Sequence, residues 1–241
     1  GAWLIVTLDR HQCAMKLTKP NLSGPRHAPA NGATPQNLVI LLHGVGADGN
    51  DLIGLAPHWA RYLPDTEFVS PHAPYPYDKA PQGRQWFSIR DFSPEVLLAG
   101  ARETAPILNQ FIDEQLARTG LSDDRLALVG FSQGTMMALF VALRRTQLMT
   151  GVIGYSGRIV GMETTADEVQ SRPPILLIHG ASDDLIATDA MLETVQNLAL
   201  SEVATQWHIC PNLGHGIDQA GLEIGGRFLR DCFTGNVDAG L

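Results

Sequence analysis

Between residues 126 and 143 the chain has very little conformational freedom. Leu126-Ala127-Leu128-Val129 is apolar at every position, Gly130-Phe131-Ser132-Gln133-Gly134 follows directly, and Met136 to Leu143 is apolar all round. A short run with no polar position suits a strand covered on both faces, as in a parallel sheet. A segment apolar around its whole circumference suits a buried helix. One sharp turn must therefore join a buried strand to a buried helix, with glycines where the two pack closest.

The same kind of run recurs at Leu38-Val39-Ile40-Leu41-Leu42, Val152-Ile153-Gly154-Tyr155 and Ile175-Leu176-Leu177-Ile178. Helical patterns lie between and after these runs. Ile107, Leu108, Phe111, Ile112 and Leu116 recur at three- and four-residue spacing, and Pro106 is expected to open or kink that helix. Met191, Leu192, Val195 and Leu198 mark another helix, and Ile224, Phe228 and Leu229 the last. Strands alternating with helices predict a doubly wound α/β sheet. Residues 20–36, rich in Pro and Gly, read as a loop joining an N-terminal strand, Leu4–Leu8, to the body. No repeat or linker divides the chain, so residues 1–241 are expected to form one domain that includes 1–36.

Composition removes several functions. Hydrophobic residues make up 44% of the 241, which excludes a disordered chain. The net charge of −8, with no basic run, argues against nucleic acid as a partner. Cys13, Cys210 and Cys232 are odd in number and form no C-x-x-C pair, so they suit a reducing compartment. The N-terminal apolar run Ala2 to Val6 is too short for a signal-peptide core, and no stretch is long enough to span a membrane. The expectation is a cytoplasmic protein without membrane insertion, and both a monomer and a homodimer are left open.

The chemistry centres on Ser132. A G-x-S-x-G pentapeptide between strand and helix lifts a serine hydroxyl above the sheet edge, where it can act as a nucleophile. The competing reading is a tight turn whose serine caps the helix. A serine nucleophile needs a histidine base, which is itself oriented by a carboxylate. On such sheets the carboxylate and then the histidine follow the serine in sequence. Asp183 and Asp184 both follow the run Ile175–Ile178, and Asp183 is preferred. Two histidines come later. His208 lies in the alternating stretch Val203–Ile209 and reads as structural, whereas His215 sits between glycines in a loop before the last helix. The backbone N–H groups of Gln133 and Val45 are candidate donors to an oxyanion.

The Val45 loop also supports a rival reading. Gly44-Val45-Gly46-Ala47-Asp48-Gly49 is a literal G-x-G-x-x-G after a strand, with Asp65 or Glu67 about 20 residues on. Against a dinucleotide site, Asn50-Asp51 resembles the helix cap, and Asp48 would face the pyrophosphate. His208, Cys210 and His215 lack the compact spacing of a metal set.

Taken together, Leu41 to Asp51, Gly83-Arg84-Gln85-Trp86-Phe87, Gly130 to Gly134, His179-Gly180 through Asp183 and Gly214-His215-Gly216 resemble the phospholipase/carboxylesterase family of α/β-hydrolases, which includes acyl-protein thioesterases. The resemblance covers about residues 36–232. It implies an α/β-hydrolase fold with helices on both faces of a mostly parallel sheet and no large lid domain. It also implies Ser132 as nucleophile, His215 as base, Asp183 as its orienter, and Val45 and Gln133 as oxyanion donors. Trp86 resembles the aromatic that lines the family's acyl cleft, the competing reading being a core tryptophan, and Phe131 and Gly46 join it as candidate substrate contacts. Asp184 stands where many relatives have proline. The resemblance further implies no cofactor.

The expected activity is hydrolysis of short- to medium-chain carboxylic esters through an acyl-enzyme. The alternative within enzymes is a thioesterase or lysophospholipase type of deacylase. The alternative of another class is a non-catalytic binding protein that holds small-molecule esters or lactones.

Overall fold

The computed structural model describes residues 19–237. The expected strand Leu4–Leu8 and Cys13 lie outside the described residues. The first elements are β1 (Arg26–His27), β2 (Asn37–Leu42), α1 (Gly49–Leu52), α2 (Ala56–Trp59) and β3 (Thr66–Val69). A hairpin of β4 (Tyr75–Tyr77) and β5 (Ala80–Gln85) then leads to the long helix α3 (Pro94–Thr119). The second half alternates strictly: β6 (Leu126–Phe131), α4 (Gln133–Arg144), β7 (Gly151–Tyr155), α5 (Met162–Glu168), β8 (Ile175–Gly180), α6 (Thr188–Leu200), β9 (Thr205–Cys210) and α7 (Gln219–Thr234).

Seven strands form one sheet in the order β1-β3-β2-β6-β7-β8-β9. Among the described residues only the two-residue β1 runs antiparallel in this sheet, against β3. Strand alternation sorts the side chains into two cores. Leu38, Ile40, Leu42, Leu126 and Leu128 point to the layer holding α3, α4 and α6. Val39, Leu41, Ala127 and Val129 point to the layer holding Trp59 of α2 and Leu222 and Phe228 of α7. Both faces are thus covered, which is why the runs carry no polar alternation. The chain leaves β2 toward β3 on one side and joins β6 on the other. The carboxyl ends of β2 and β6 therefore flank a topological switch point, where open α/β sheets form their crevices.

Two local expectations are corrected. Pro106 does not open its helix: α3 begins at Pro94, and Pro106 lies inside it on the exposed face. Proline removes one helical N–H, and on that face water can reach the carbonyl it leaves free. Asp48, and not Asn50-Asp51, caps α1, its Oδ1 accepting the Asn50 N–H at 2.8 Å. The 20–36 segment is largely irregular as expected, apart from β1, where Arg26 reaches Glu67 and Gln115. At the other edge of the sheet, β9 leaves Trp207 52% exposed.

Candidate active site

Ser132 follows β6 with φ 54° and ψ −114°, a region that L-residues rarely adopt and that costs about 1–3 kcal/mol. The strain is held from both sides. The Ser132 N–H donates to Tyr155 O at 2.9 Å, and Ser132 O accepts from the Thr135 and Met136 N–H groups as α4 begins. Packing dictates the flanking glycines, since a Cβ on Gly134 would overlap Leu42 O and one on Gly130 would overlap the Gly134 carbonyl. The Ser132 side chain makes no capping bond to α4, so the hydroxyl is not a helix cap.

Asp183 lies in the loop after β8 with its side chain fully buried, whereas Asp184 is exposed. Asp183 Oδ1 accepts the N–H groups of Leu185 at 3.0 Å and Ile186 at 2.9 Å. Its Oδ2 is 2.7 Å from His215 Nδ1 across 32 residues of sequence. Burial by itself would push this carboxyl up. The bonds from Ile186, His215 and Leu185 outweigh it and hold the group below the usual carboxylate range, so it stays charged. A charged Oδ2 requires the proton on His215 Nδ1, which leaves Nε2 as the basic nitrogen. The His215 ring lies 5.0 Å from that of Phe131, the residue before the serine. The loop is tied down on both sides of the histidine: Ser156 Oγ donates to Gly216 O at 3.0 Å, and the Ser182 N–H donates to Leu213 O at 2.8 Å. His208 stays out of this cluster, on the edge strand opposite Ile178.

The loop after β2 faces the start of α4. The N–H groups of Gly46 and Ala47 are taken by Arg84 O at 2.8 Å and Gly44 O at 3.3 Å, while that of Val45 has no backbone acceptor among the described residues. Gly46 has φ +85° and is exposed at the surface, with the Tyr77 ring over the place a Cβ would occupy.

Trp86 is 0% exposed and so does not line the cleft. Its Nε1–H donates to His43 O at 2.9 Å, and its backbone N–H donates to Gln133 Oε1 at 2.9 Å. Gln133 Nε2 in turn donates to Phe87 O at 2.8 Å. The expected substrate contact is therefore a brace, sunk beneath the loop because its indole N–H has a buried carbonyl to meet.

His43 completes this brace. Its Nε2 accepts the Ala73 N–H at 3.0 Å, so Nδ1 carries the proton toward Gly44 O at 2.7 Å. Burial, the largest influence, pushes this imidazole down and keeps it neutral. His43 sits beside the glycines of the loop and was within reach of sequence reasoning. Ser156 and Tyr77 carry no local signal of their roles.

The dinucleotide reading fails on the same loop. Asp48 turns its carboxylate onto the start of α1, which has only four residues, where a pyrophosphate would need open N–H groups. Glu67 is committed to Arg26 and Arg118, and Asp65 to Asn37.

Residues 29–233 match the family described as Phospholipase/Carboxylesterase. Esterase YpfH of Escherichia coli strain K12 is 30% identical over 196 residues, covering 81% of this chain and 82% of its own. Acyl-protein thioesterase 1 of Gibberella zeae is 25% identical, covering 80% and 88%. The crystal structure of esterase PE8 superposes with a TM-score of 0.85 at 40% identity, covering 88% of this chain and all of that one.

Proposed function

This chain belongs to the phospholipase/carboxylesterase family, and from that premise we propose that it is a serine carboxylesterase acting through an acyl-enzyme. The observation that carries the reading is the buried, charged Asp183 holding His215 Nδ1, with a strained serine at the next strand end but one. In this reading Ser132 Oγ attacks the ester carbonyl while His215 Nε2 takes its proton. The Val45 and Gln133 N–H groups stabilise the oxyanion of the tetrahedral intermediate. His215 then protonates the departing alcohol, and water repeats the sequence to release the acid. Gly46 and Phe131 border the acyl group, and Trp86 supports the loop from below.

Short- to medium-chain esters suit the architecture. The connections after β7, β8 and β9 span only residues 156–161, 181–187 and 211–218, and they build no lid domain. The buried free thiols of Cys210 and Cys232 support a cytoplasmic setting. The thioesterase alternative draws on relatives such as the Gibberella zeae protein.

The test is hydrolysis of nitrophenyl esters from acetate to palmitate by native protein and Ser132→Ala. Turnover that peaks at short or medium chains and collapses in the variant supports the reading. Turnover that survives in the variant removes Ser132 from the chemistry. Activity confined to S-acyl peptides moves the assignment to a thioesterase. Val45→Pro removes one oxyanion donor and is expected to lower kcat about 10²–10³-fold.

A further inference from the structure

Asp183 faces two imidazoles. His179, near the end of β8, has a side chain with 0% exposure, and its Nε2 lies 2.7 Å from Ile186 O and 3.3 Å from Asp183 Oδ2. Its Nδ1 is buried without a partner among the described residues. These facts fix the tautomer. A proton on Nδ1 would be a buried donor with no acceptor, and the Nε2 lone pair would then face two oxygens. The proton is therefore on Nε2, shared between the Ile186 carbonyl and the Asp183 carboxylate.

The result is a closed ring of contacts. Ile186 gives its N–H to Asp183 Oδ1 and takes the His179 Nε2–H at its carbonyl, while the same Nε2–H faces Oδ2. The Leu185 and Ile186 N–H groups pin Oδ1 alone, which would let Oδ2 swing about that anchor. Oδ2 is the oxygen that meets His215. An apolar side chain would fill the His179 site without leaving Nδ1 unsatisfied, a burial that costs about 1–3 kcal/mol. That cost is explained if Nε2–H is needed where it points.

We propose that His179 is a positioning residue that fixes the direction of the Asp183 carboxylate toward His215. The proposal rests on the assignment of Ser132, His215 and Asp183 given above. His179 touches no substrate, so it acts on kcat through the Asp183–His215 bond. A misdirected base costs rate steeply even when displaced by about 1 Å, so the expected loss is roughly 10- to 100-fold in kcat with KM unchanged.

The experiment compares native protein, Ser132→Ala, His179→Leu, His179→Gln and His179→Asn. It reads ester kcat and KM and the low-field proton resonance of His215 Nδ1–H. Leu keeps the volume without the donor, Gln offers an amide N–H at similar reach, and Asn offers one too short to meet Oδ2. The expected result is a kcat loss and a shifted or broadened resonance in Leu and Asn, with substantial recovery of both in Gln. If His179→Leu does not fold, the contrast between Gln and Asn decides. Folded variants with native kcat and an unmoved resonance overturn the proposal, as does a loss of stability that leaves the resonance in place. Activity that survives Ser132→Ala overturns the underlying assignment instead, so the two failures are distinguishable.

Discussion

Ser132 and Ser156 share an unusual property: both are L-residues with positive φ, at 54° and 47°, at the carboxyl ends of the adjacent strands β6 and β7. For Ser132 the strain presents the proposed nucleophile. For Ser156 it aims Oγ at Gly216 O, next to His215. Ser156→Gly relieves the strain but deletes the hydroxyl, so its melting temperature is expected to stay near native while kcat falls. Thermal melts and ester kinetics on one preparation check this. The acidic pair gives a sharper contrast. Asp183→Asn is expected to cost about 10⁴-fold in kcat because the imidazole loses its orienting charge. Asp184→Asn, at an exposed position, is expected to remain within about twofold.

Asp183 also sets a pH dependence of stability. Its folded pKa lies below the ordinary carboxylate value, so its contribution is complete above about pH 4 and is lost as pH falls through the folded value. The gap in melting temperature between native protein and Asp183→Asn is therefore expected to narrow as pH drops below about 4. The pairing of Asp183 with His215 was legible from residue type, order and flanking glycines. The second imidazole on Asp183 was not, because nothing in one sequence says which nitrogen of a strand histidine meets which oxygen.

At the scale of elements, the site depends on how closely α4 approaches β2 and the Trp86-Phe87 stretch that follows β5. Gly134→Ala would drive a methyl into Leu42 O, with backbone on both sides and no flexible side chain to yield. Loss of soluble protein is the expected outcome, read by expression and circular dichroism. Gln133→Ala keeps the backbone N–H proposed for the oxyanion but leaves the Trp86 N–H and Phe87 O buried without their partner. It is expected to destabilise by about 1–3 kcal/mol, measured by denaturant titration, and to lower kcat as the loop loosens. The strands β2, β6, β7 and β8 were readable because burial on both faces writes continuous apolar runs, and α3, α4, α6 and α7 because their apolar positions recur at helical spacing or fill the whole circumference. The β4–β5 hairpin, with Pro76, Pro81 and Gly83, has no alternation to read, and β3 is short with Glu67 in its middle, neutralised by Arg26 and Arg118. Which of its two readings Trp86 takes was hidden for a related reason. Periodicity tells whether a side chain is apolar, but not whether its polar edge finds a carbonyl such as His43 O beneath the surface.

Across the whole molecule, the pairing of β2 with β6 orders events in time. Just ahead of the two strands, Arg125 Nε donates to Gln36 O across 89 residues of sequence. The strands β6, β7, β8 and β9 pair in chain order, each with the next, and β2 pairs with the nearby β3. Each half can therefore zip up through comparatively local closures, whereas the seam between them must bring distant segments together before any contact rewards it. The Val45 loop hangs from one side of that seam and Ser132 from the other. A refolding chain should accordingly recover most of its helical signal before it regains any turnover, with competence arriving as the last event in assembly and not in proportion to structure regained.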